Sequence, residues 1–356
     1  MKRSVHALYR HSEDYMDESP MSTILPKKKS KSLVLGHEDG IVRVYSLPQC
    51  GDISHVECLE CIQTLESKGG PIQTLMIHDV TKLAHNDIIV ADSRGMVTIF
   101  SNEQILTRKA VSEHCIQCIG IQKDALGYNA IIIGDRQGHV AAFSPFTEFW
   151  RVRLSDLGQY KNLALRPQVT CVHITELTDK YGQRRSCVLV SDTCKAVHMI
   201  QGGSIVLTLY TPAVVTAMVS GHFVESNEAD ENDTVMANQT WTEEQVLMGT
   251  DNGAIYIMAN FQIYQEEYAN IHHTITHLST LASADSQITD TLLCAGHFDA
   301  LCILRDGQEI SHHKTSAWII SLVTADINND GVDEILIGCH DNTLHALKVT
   351  FGCSKK

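Results

Sequence analysis

The stretch Asp326-Ile-Asn-Asn-Asp-Gly-Val-Asp-Glu334, followed at once by Ile335-Leu-Ile-Gly338, gives the most direct indication of the fold. Oxygen-bearing side chains alternate through its first five residues, a glycine permits a tight turn, and Glu334 closes the loop. This is the spacing of a cation loop, in which side-chain oxygens converge on one point. The apolar run behind it is short and ends in glycine, so it predicts a buried strand. A cation-type loop that leads directly into a strand is typical of one unit of a repeat.

The rest of the chain contains six more copies of the apolar run and of the strand that follows it. In Asn129-Ala-Ile-Ile-Ile-Gly134, for example, the run leads through a short polar turn to Gly138-His-Val-Ala-Ala-Phe143. The small residue that ends each run recurs at intervals of 42 to 58 residues, at Gly36, Ala91, Gly134, Ser191, Gly249, Gly296 and Gly338. Hairpins repeated at this period predict the blades of a β-propeller.

The predicted fold class is all-β, a seven-bladed β-propeller that forms a single domain over residues 1–356. No hairpin could bury both of its faces alone, so the blades must stack around a ring. Apolar strands that precede the hairpins, such as 318–323, are predicted to lie innermost. The last unit lacks an outer strand, and we expect residues 4–10 to supply it and so to close the ring. Residues 22–25 are the candidate for the innermost strand of the first blade.

Two charged segments interrupt the repeat. Residues 225–244 join the innermost strand of the fifth unit to its hairpin and contain seven acidic residues. We expect them to form a flexible acidic loop, with a partner-binding segment as the alternative. The basic run at 27–31 predicts a solvated loop, with a nuclear-import signal as the alternative.

Charge and composition narrow the class of protein. The formal net charge of −14 disfavours nucleic acid as a partner, because affinity for nucleic acid comes mainly from Lys and Arg that neutralise phosphates. No apolar stretch reaches the roughly 18 residues of a membrane span, and the first residues have no secretory-signal pattern. The twelve cysteines are then expected to be reduced and mostly packed as small apolar side chains. We therefore expect a cytoplasmic protein.

Two Cys-x-x-Cys pairs and one group of histidines are minor candidates for metal ligands: Cys58 with Cys61, Cys115 with Cys118, and His272 and His273 with His277. The cysteine pairs are too far apart, since a zinc site typically separates its pairs by roughly 15–20 residues. No third ligand lies at a clear spacing from the histidines. The sequence also lacks the motifs of a nucleophile elbow, a phosphate-binding loop and a dinucleotide site. We therefore predict no catalytic residues and no enzyme activity.

The opening loop is the main candidate for a metal site. Its ligands would be the side chains of Asp326, Asn328, Asp330 and Glu334 together with the carbonyl of Val332, and calcium would be the ion. In the alternative interpretation, the same residues form hydrogen-bonded turns without an ion. The other six units lack the acidic pattern, and both interpretations stay open at this point.

The loop and strand at 326–338 resemble the FG-GAP repeat of integrin-α-type propellers. The other units retain only the hairpin half of that repeat, and the Gly-His and Trp-Asp marks of WD40 repeats are absent. A propeller of such degenerate units is similar to the propeller domains of Bardet–Biedl syndrome proteins, which build a ciliary cargo coat. It is also similar to kaptin and its FG-GAP repeat-containing partner in the KICSTOR scaffold of nutrient signalling. The resemblance covers the architecture of residues 32–349.

This resemblance implies a non-catalytic scaffold that binds other subunits of a protein complex, in the cytoplasm or in association with the cilium. Two other functions stay open as alternatives. An enzyme or ligand-binding propeller would use polar groups at the mouth of its central channel. A calcium-dependent adhesion propeller would carry several complete acidic loops and a secretory signal, whereas this sequence has one such loop.

Overall fold

The computed structural model describes residues 8–9, 32–47, 59–83, 85–123, 127–161, 166–178, 184–224, 244–282, 289–328 and 330–348. These residues form seven antiparallel sheets, six with four strands and one with three. Successive sheets lie around a common axis, so the fold is the predicted seven-bladed β-propeller. No helix in the described ranges is long and apolar enough to span a membrane.

The blades are numbered in chain order, and their strands are numbered from the axis outward. The first strands are β1 (Leu8–Tyr9), β5 (Ile72–His78), β9 (Ile116–Lys123), β13 (Val169–Thr178), β17 (Val215–Gly221), β21 (Ile275–Leu281) and β25 (Ile319–Ala325). The second strands are β2 (Ser32–Gly36), β6 (Asp87–Asp92), β10 (Asn129–Asp135), β14 (Arg184–Asp192), β18 (Gln245–Thr250), β22 (Thr291–Gly296) and β26 (Glu334–Cys339).

The third strands are β3 (Ile41–Ser46), β7 (Met96–Ser101), β11 (His139–Phe143), β15 (Ala196–Gln201), β19 (Ala254–Ala259), β23 (Ala300–Arg305) and β27 (Leu344–Leu347). The fourth strands are β4 (Cys61–Glu66), β8 (Gln104–Ala110), β12 (Glu148–Arg153), β16 (Ser204–Tyr210), β20 (Gln262–Asn270) and β24 (Gln308–Lys314). Two short 3₁₀ turns, Leu154–Asp156 and Gly158–Tyr160, lie in the connection from blade 3 to blade 4.

Burial differs between the strands because each blade is covered by two neighbours. The second strand lies deep in the blade and is buried on both faces, as in β22, where every residue is buried. Both of its faces must then be apolar, which explains why these strands appear in the sequence as uninterrupted apolar runs. The fourth strand lies at the rim, and in β12 exposed residues alternate with half-buried ones.

Seven apolar clusters hold the ring together, one between each pair of neighbouring blades. The last cluster joins blade 7 to blade 1, where Leu33 packs with Ile327 and Leu336. Burial of apolar surface at this seam favours the closed ring, as it does at the other six seams. In the described part of the chain, side-chain packing therefore closes the propeller.

The N-terminal strand does not occupy its predicted place. β1 pairs antiparallel with β2, with Leu8 opposite Val34 and Tyr9 opposite Leu33. It is therefore the first strand of blade 1, whereas blade 7 has three strands among the described residues. For the two residues described, the prediction that the segment completes the last blade is wrong. The physical reason is that β2 offers an inner edge whose backbone groups need partners, and β1 supplies them.

Three other predictions concern residues outside the described ranges. They are the strand at 22–25, the basic run at 27–31 and nearly all of the acidic insertion at 225–244. Of the insertion only Glu244 is described, and the flanking strands β17 and β18 place it in blade 5.

The propeller has two faces, named here by the loops that they carry. The upper face carries the turns between second and third strands and the connections from one blade to the next. The lower face carries the loops between first and second strands and the turns between third and fourth strands. The upper turn of blade 3 requires a glycine, because Gly138 has a φ of +77° and a Cβ there would lie 2.5 Å from the carbonyl oxygen of Pro167.

Candidate functional site

The loop between β25 and β26, on the lower face, is held by hydrogen bonds to its own backbone. The two carboxylate oxygens of Asp326 accept the N–H groups of Asp330 and Gly331, at 3.2 and 3.1 Å. The carboxylate of Glu334 is buried, and its Oε2 accepts the N–H of Ile327 at 2.9 Å. These bonds fit the interpretation in which the acidic residues form turns without an ion.

The other predicted ligands lie in the same network. Asn328 donates from Nδ2 to Oε1 of Glu334 at 2.6 Å and to Oδ2 of Asp330 at 3.1 Å. The remaining oxygen of Asp330 accepts the N–H of Val332 at 2.9 Å. The structure therefore brings the acidic side chains and Asn328 together as predicted, and it connects Val332 to them through its N–H group.

Lys348, which follows β27, supplies a positive charge to this loop. Its ammonium group donates a hydrogen bond to the carboxylate of Asp330 and lies 3.9 Å from Oε1 of Glu334. The hydrogen bond from Lys348 lowers the pKa of Asp330, and the same bond raises the pKa of Lys348. An ammonium ion thus neutralises carboxylates that a calcium ion would have to share. Among the described residues, no group of three or more His, Cys, Asp or Glu is arranged to hold a metal ion.

The role of Glu334 recurs in other blades. Asp87, the first residue of β6, accepts two N–H groups of its own loop at 3.0 and 3.1 Å. Gln245, the first residue of β18, accepts two N–H groups of its loop at 2.9 and 3.0 Å. All three side chains begin a second strand and bond the backbone that precedes it. Because Gln245 is neutral, this bonding requires neither a charge nor an ion.

Blade 2 contains a partial counterpart of the acidic loop. Asp79 follows β5 directly, as Asp326 follows β25, and each is eight positions before the residue that begins the next strand. Thr81 and Leu83 stand where blade 7 has Asn328 and Asp330, so blade 2 keeps the two end acids of the loop and lacks the alternating pattern between them. The recoverable signal was an acid at each end of an eight-residue interval, followed by an apolar run.

The described cysteines do not form a metal site. Cys58 lies outside the described residues, and Cys61 is an exposed free thiol on β4. Cys115 precedes β9, while Cys118 lies on β9. Burial raises the pKa of Cys118 well above its ordinary value, so this thiol stays protonated. All the described cysteines are free.

The three candidate histidines lie on two different elements and do not form a common site. His272 and His273 are exposed in the upper connection that precedes β21. His277 lies on β21, where its Nδ1 is 2.8 Å from the hydroxyl oxygen of Thr276. They are not part of any metal-binding group in the described chain.

Exposed large apolar side chains are concentrated at the lower edge of the propeller. Twelve such residues are described, and ten of them lie in lower-face loops or within the first three positions of a fourth strand: Ile62, Leu83, Ile105, Leu106, Tyr128, Phe146, Phe149, Val206, Ile310 and Val332. Blade 3 contributes the most exposed aromatic ring, because 75% of Phe146 is accessible to solvent. Exposed apolar side chains become candidates for protein–protein contacts where they form a contiguous patch.

The upper face is more polar and contains an open cleft of about 730 Å³ between the connections that enter and leave blade 3. The side chains that give the cleft its chemistry are His114, His139, Arg153, Tyr160, Lys161 and Arg166. The rings of the two histidines stack with their centroids 6.4 Å apart. A smaller depression of about 420 Å³ adjoins the cleft on the side of blade 2.

A buried carboxylate fixes the position of His139. Oδ2 of Asp135 accepts the hydroxyl of Ser112 at 2.5 Å and lies 2.8 Å from Nδ1 of His139. Its other oxygen accepts N–H groups of the turn between β10 and β11 at 2.8 Å. Burial opposes ionisation of Asp135, but the hydrogen bonds from Ser112 and His139 outweigh it and lower the pKa of this carboxyl.

A second buried carboxylate fixes Tyr160 in the same way. The phenol donates to Oδ2 of Asp192 at 2.5 Å, and Nε2 of His198 lies 3.1 Å from the same oxygen. Burial and then the bond to Asp192 raise the pKa of Tyr160, so the phenol keeps its proton. The side chains of Asp192 and His198 are completely buried. Two neighbouring upper turns are therefore each held by a buried aspartate.

Neither network has the order of a catalytic triad. In a triad, the hydroxyl bonds the imidazole base and the carboxylate holds the other ring nitrogen. Here the hydroxyl of Ser112 donates to the carboxylate of Asp135 itself, so no imidazole is placed to take its proton. The phenol of Tyr160 likewise donates to Asp192. The chemistry of both networks is that of turn stabilisation.

No protein-family model matches the sequence, and no curated protein matches it either. Several solved structures share the fold. The BBS1N structure in complex with ARL6DN is 11% identical, with a TM-score of 0.61 over 90% of this chain and 88% of that one. The WD40 propeller domain of Doa1 is 11% identical, with a TM-score of 0.60 over 98% and 97% of the two chains.

A third similar structure is Chaetomium thermophilum Sqt1 bound to the N-terminus of the ribosomal protein L10. It is 12% identical, with a TM-score of 0.60 over 89% of this chain and 81% of that one. At sequence identities this low, the similarity shows the β-propeller architecture and does not show a function, since this fold hosts many unrelated functions.

Proposed function

We propose that this propeller is a non-catalytic platform for protein–protein interaction and a subunit of a larger intracellular complex. The observation that carries the proposal is the concentration of exposed apolar side chains at the lower edge, with Phe146, Phe149 and Tyr128 on blade 3. Burying such side chains against a partner removes apolar surface from water, and this stabilises the complex. A rigid ring presents them at fixed positions, which limits the entropy lost on binding.

Two of the similar structures support this proposal by what they contain. BBS1N is in complex with ARL6DN, and Sqt1 is bound to the N-terminus of a ribosomal protein. The eight-residue interval in blades 2 and 7 further supports an FG-GAP type of ancestry. On this basis we propose a complex of the ciliary-coat or nutrient-scaffold type, in the cytoplasm or in association with the cilium.

The acidic loop of blade 7 has a structural part in this proposal. Its hydrogen bonds and Lys348 stiffen the lower face next to Val332, one of the exposed apolar residues. Calcium is not required for that role. Calcium bound by Asp326, Asn328 and the other predicted ligands is the competing hypothesis, and replacement of Glu334 separates the two.

The proposal is tested by affinity purification and mass spectrometry. The wild-type chain is compared with a lower-edge double variant, Phe146→Ser with Tyr128→Ser, and with the control Tyr210→Ser, which removes a ring that is 58% exposed from the upper end of β16. We expect the wild type and the control to retain the same stoichiometric partner and the double variant to lose it. A wild-type chain that purifies alone as a monomer would overturn the proposal.

A further inference from the structure

We infer that the upper cleft binds an acidic segment of a partner polypeptide, through Arg153, Lys161 and Arg166. This inference rests on the proposed function and deepens it, because it assigns the chemistry of one partner segment. The cleft is on the opposite face from the apolar lower edge, so the two contacts are separable by mutation.

The first ground is that the cleft holds three basic side chains that form no ion pair among the described residues. Arg153, Lys161 and Arg166 are exposed at its walls, and none of them forms a side-chain hydrogen bond or an ion pair with another described residue. Arg151 on the same strand shows the contrast, because it binds Glu148 through hydrogen bonds of 2.8 and 3.1 Å. Three cationic side chains in one cleft repel one another until an anion enters.

The second ground is the contrast between local and overall charge. The cleft is lined by three basic side chains and by two carboxylates, Glu113 and Asp156, in a chain whose formal net charge is −14. Neither carboxylate is within ion-pair distance of a basic group of the cleft among the described residues. The lining side chains therefore sum to a formal charge of +1, opposite in sign to that of the whole chain, and the buried carboxylates of Asp135 and Asp192 lie beneath them. A positive patch on an acidic surface selects an anionic group and its orientation, since misplaced contacts are repulsive.

The third ground is the shape and polarity of the cleft, which favour a polypeptide. No aliphatic side chain lines the 730 Å³ cleft, whereas small-molecule sites are lined mainly by apolar side chains. The adjoining 420 Å³ depression adds Ala110 and Val111 and shares His114 and Arg153 with the cleft. Together they form an open path along the surface. A nucleic acid would have to approach a chain of formal net charge −14, which its phosphates oppose.

The fourth ground is that the cleft is already organised. Tyr160 and His139 are held by the buried carboxylates of Asp192 and Asp135, and the backbone beneath the cleft is tied by 3₁₀ turns. Little conformational entropy is then lost when a segment binds. The guanidinium groups of Arg153 and Arg166 can each donate two parallel hydrogen bonds to a carboxylate, which makes glutamate and aspartate the suitable side chains.

The experiment measures binding of a fluorescein-labelled peptide of alternating glutamate and glycine by fluorescence anisotropy at low ionic strength. The cleft variant is Arg153→Gln, Lys161→Gln and Arg166→Gln together. The matched control, Lys123→Gln, Arg184→Gln and Lys314→Gln, removes the same charge from exposed residues elsewhere. Circular dichroism confirms that both variants are folded. We expect the cleft variant to raise Kd at least about tenfold and the control to change it by less than about twofold.

Each other outcome overturns the inference. Equal weakening in both variants would mean that only general electrostatics acts, and no binding by the wild type would mean that the cleft does not take carboxylates. A phosphoserine peptide that binds at least about tenfold more tightly than the glutamate peptide would assign a phosphorylated segment instead. If the lower-edge variant loses its partner while the peptide fails to bind, the inference fails and the proposed function stands.

Discussion

Replacement of Glu334 separates the two interpretations of the acidic loop in blade 7. If the loop is a turn without an ion, Glu334 acts as an acceptor for the N–H of Ile327, the role that the neutral Gln245 has in blade 5. If the loop binds calcium, Glu334 is an ionised ligand and a neutral amide cannot replace it well. Glu334→Gln and Glu334→Ala therefore have different expected effects under the two hypotheses.

The magnitudes follow from the contacts. Ile327 is 2% exposed, so Glu334→Ala leaves a buried N–H without an acceptor. An unpaired buried donor costs roughly 1–3 kcal/mol, and we expect a loss of about 2 kcal/mol in the free energy of unfolding. Glu334→Gln keeps an acceptor for that N–H, and Asn328 can rotate its amide to pair with the new one. The loss is then limited to the difference between a charged and a neutral hydrogen bond, about 1 kcal/mol.

The assay is urea denaturation of the wild type and both variants, in calcium chloride and in chelator, with Gln245→Ala as the matched control. We expect the free energy of unfolding of the wild type to be the same in both media, and the control to lose about 2 kcal/mol in both. The reasoning is refuted if calcium stabilises the wild type by more than about 1 kcal/mol and Glu334→Gln abolishes that gain.

Three further predictions concern pH, the upper cleft and the ring seam. Burial lowers the pKa of His173 from 6.5 to about 4, so its neutral form stabilises the fold above pH 6.5 and that contribution is lost as the pH falls through 4. We expect the free energy of unfolding of the wild type to fall by about 2–3 kcal/mol between pH 7 and pH 4, and we expect no such fall in His173→Gln. Equal pH dependence in both proteins would contradict this prediction. Tyr160→Phe removes the 2.5 Å bond to buried Asp192 and should cost about 1–3 kcal/mol in urea denaturation, whereas a loss below about 0.5 kcal/mol would show that the phenol is dispensable. Leu336→Ala should lower the free energy of unfolding in urea denaturation by about 2–5 kcal/mol, because it truncates a core side chain at the seam between blades 7 and 1. A smaller loss would mean that this seam contributes little to closure of the ring.

Much of the fold was predictable because its signals are local. The apolar runs that became β10, β22 and β26 stand out in the sequence, since a strand buried on both faces has to be apolar throughout. The rim strand β12 at 148–153 also has a local signal, because its alternating pattern suits a strand with one covered face.

Other strands carried no such signal. β8 is mostly exposed and includes Arg108 and Lys109, so its sequence resembles a polar loop. It is a strand because the edge of β7 pairs with it, from Met96 opposite Ala110 to Ser101 opposite Gln104. This segment is a strand because its backbone groups pair with the edge of β7, and its side chains alone do not indicate a strand.

The sequence by itself determined the repeat, the number of blades and the position of the acidic loop, because these depend on patterns within a few consecutive residues. Only the tertiary structure decided which distant groups meet. Lys348 reaches Asp330, which is 18 positions away, because β27 returns beside β26. The upper cleft forms because the ring brings two separate blade connections together. Such contacts depend on how strands and blades pack in three dimensions, and the spacing of residues along the chain does not contain that information.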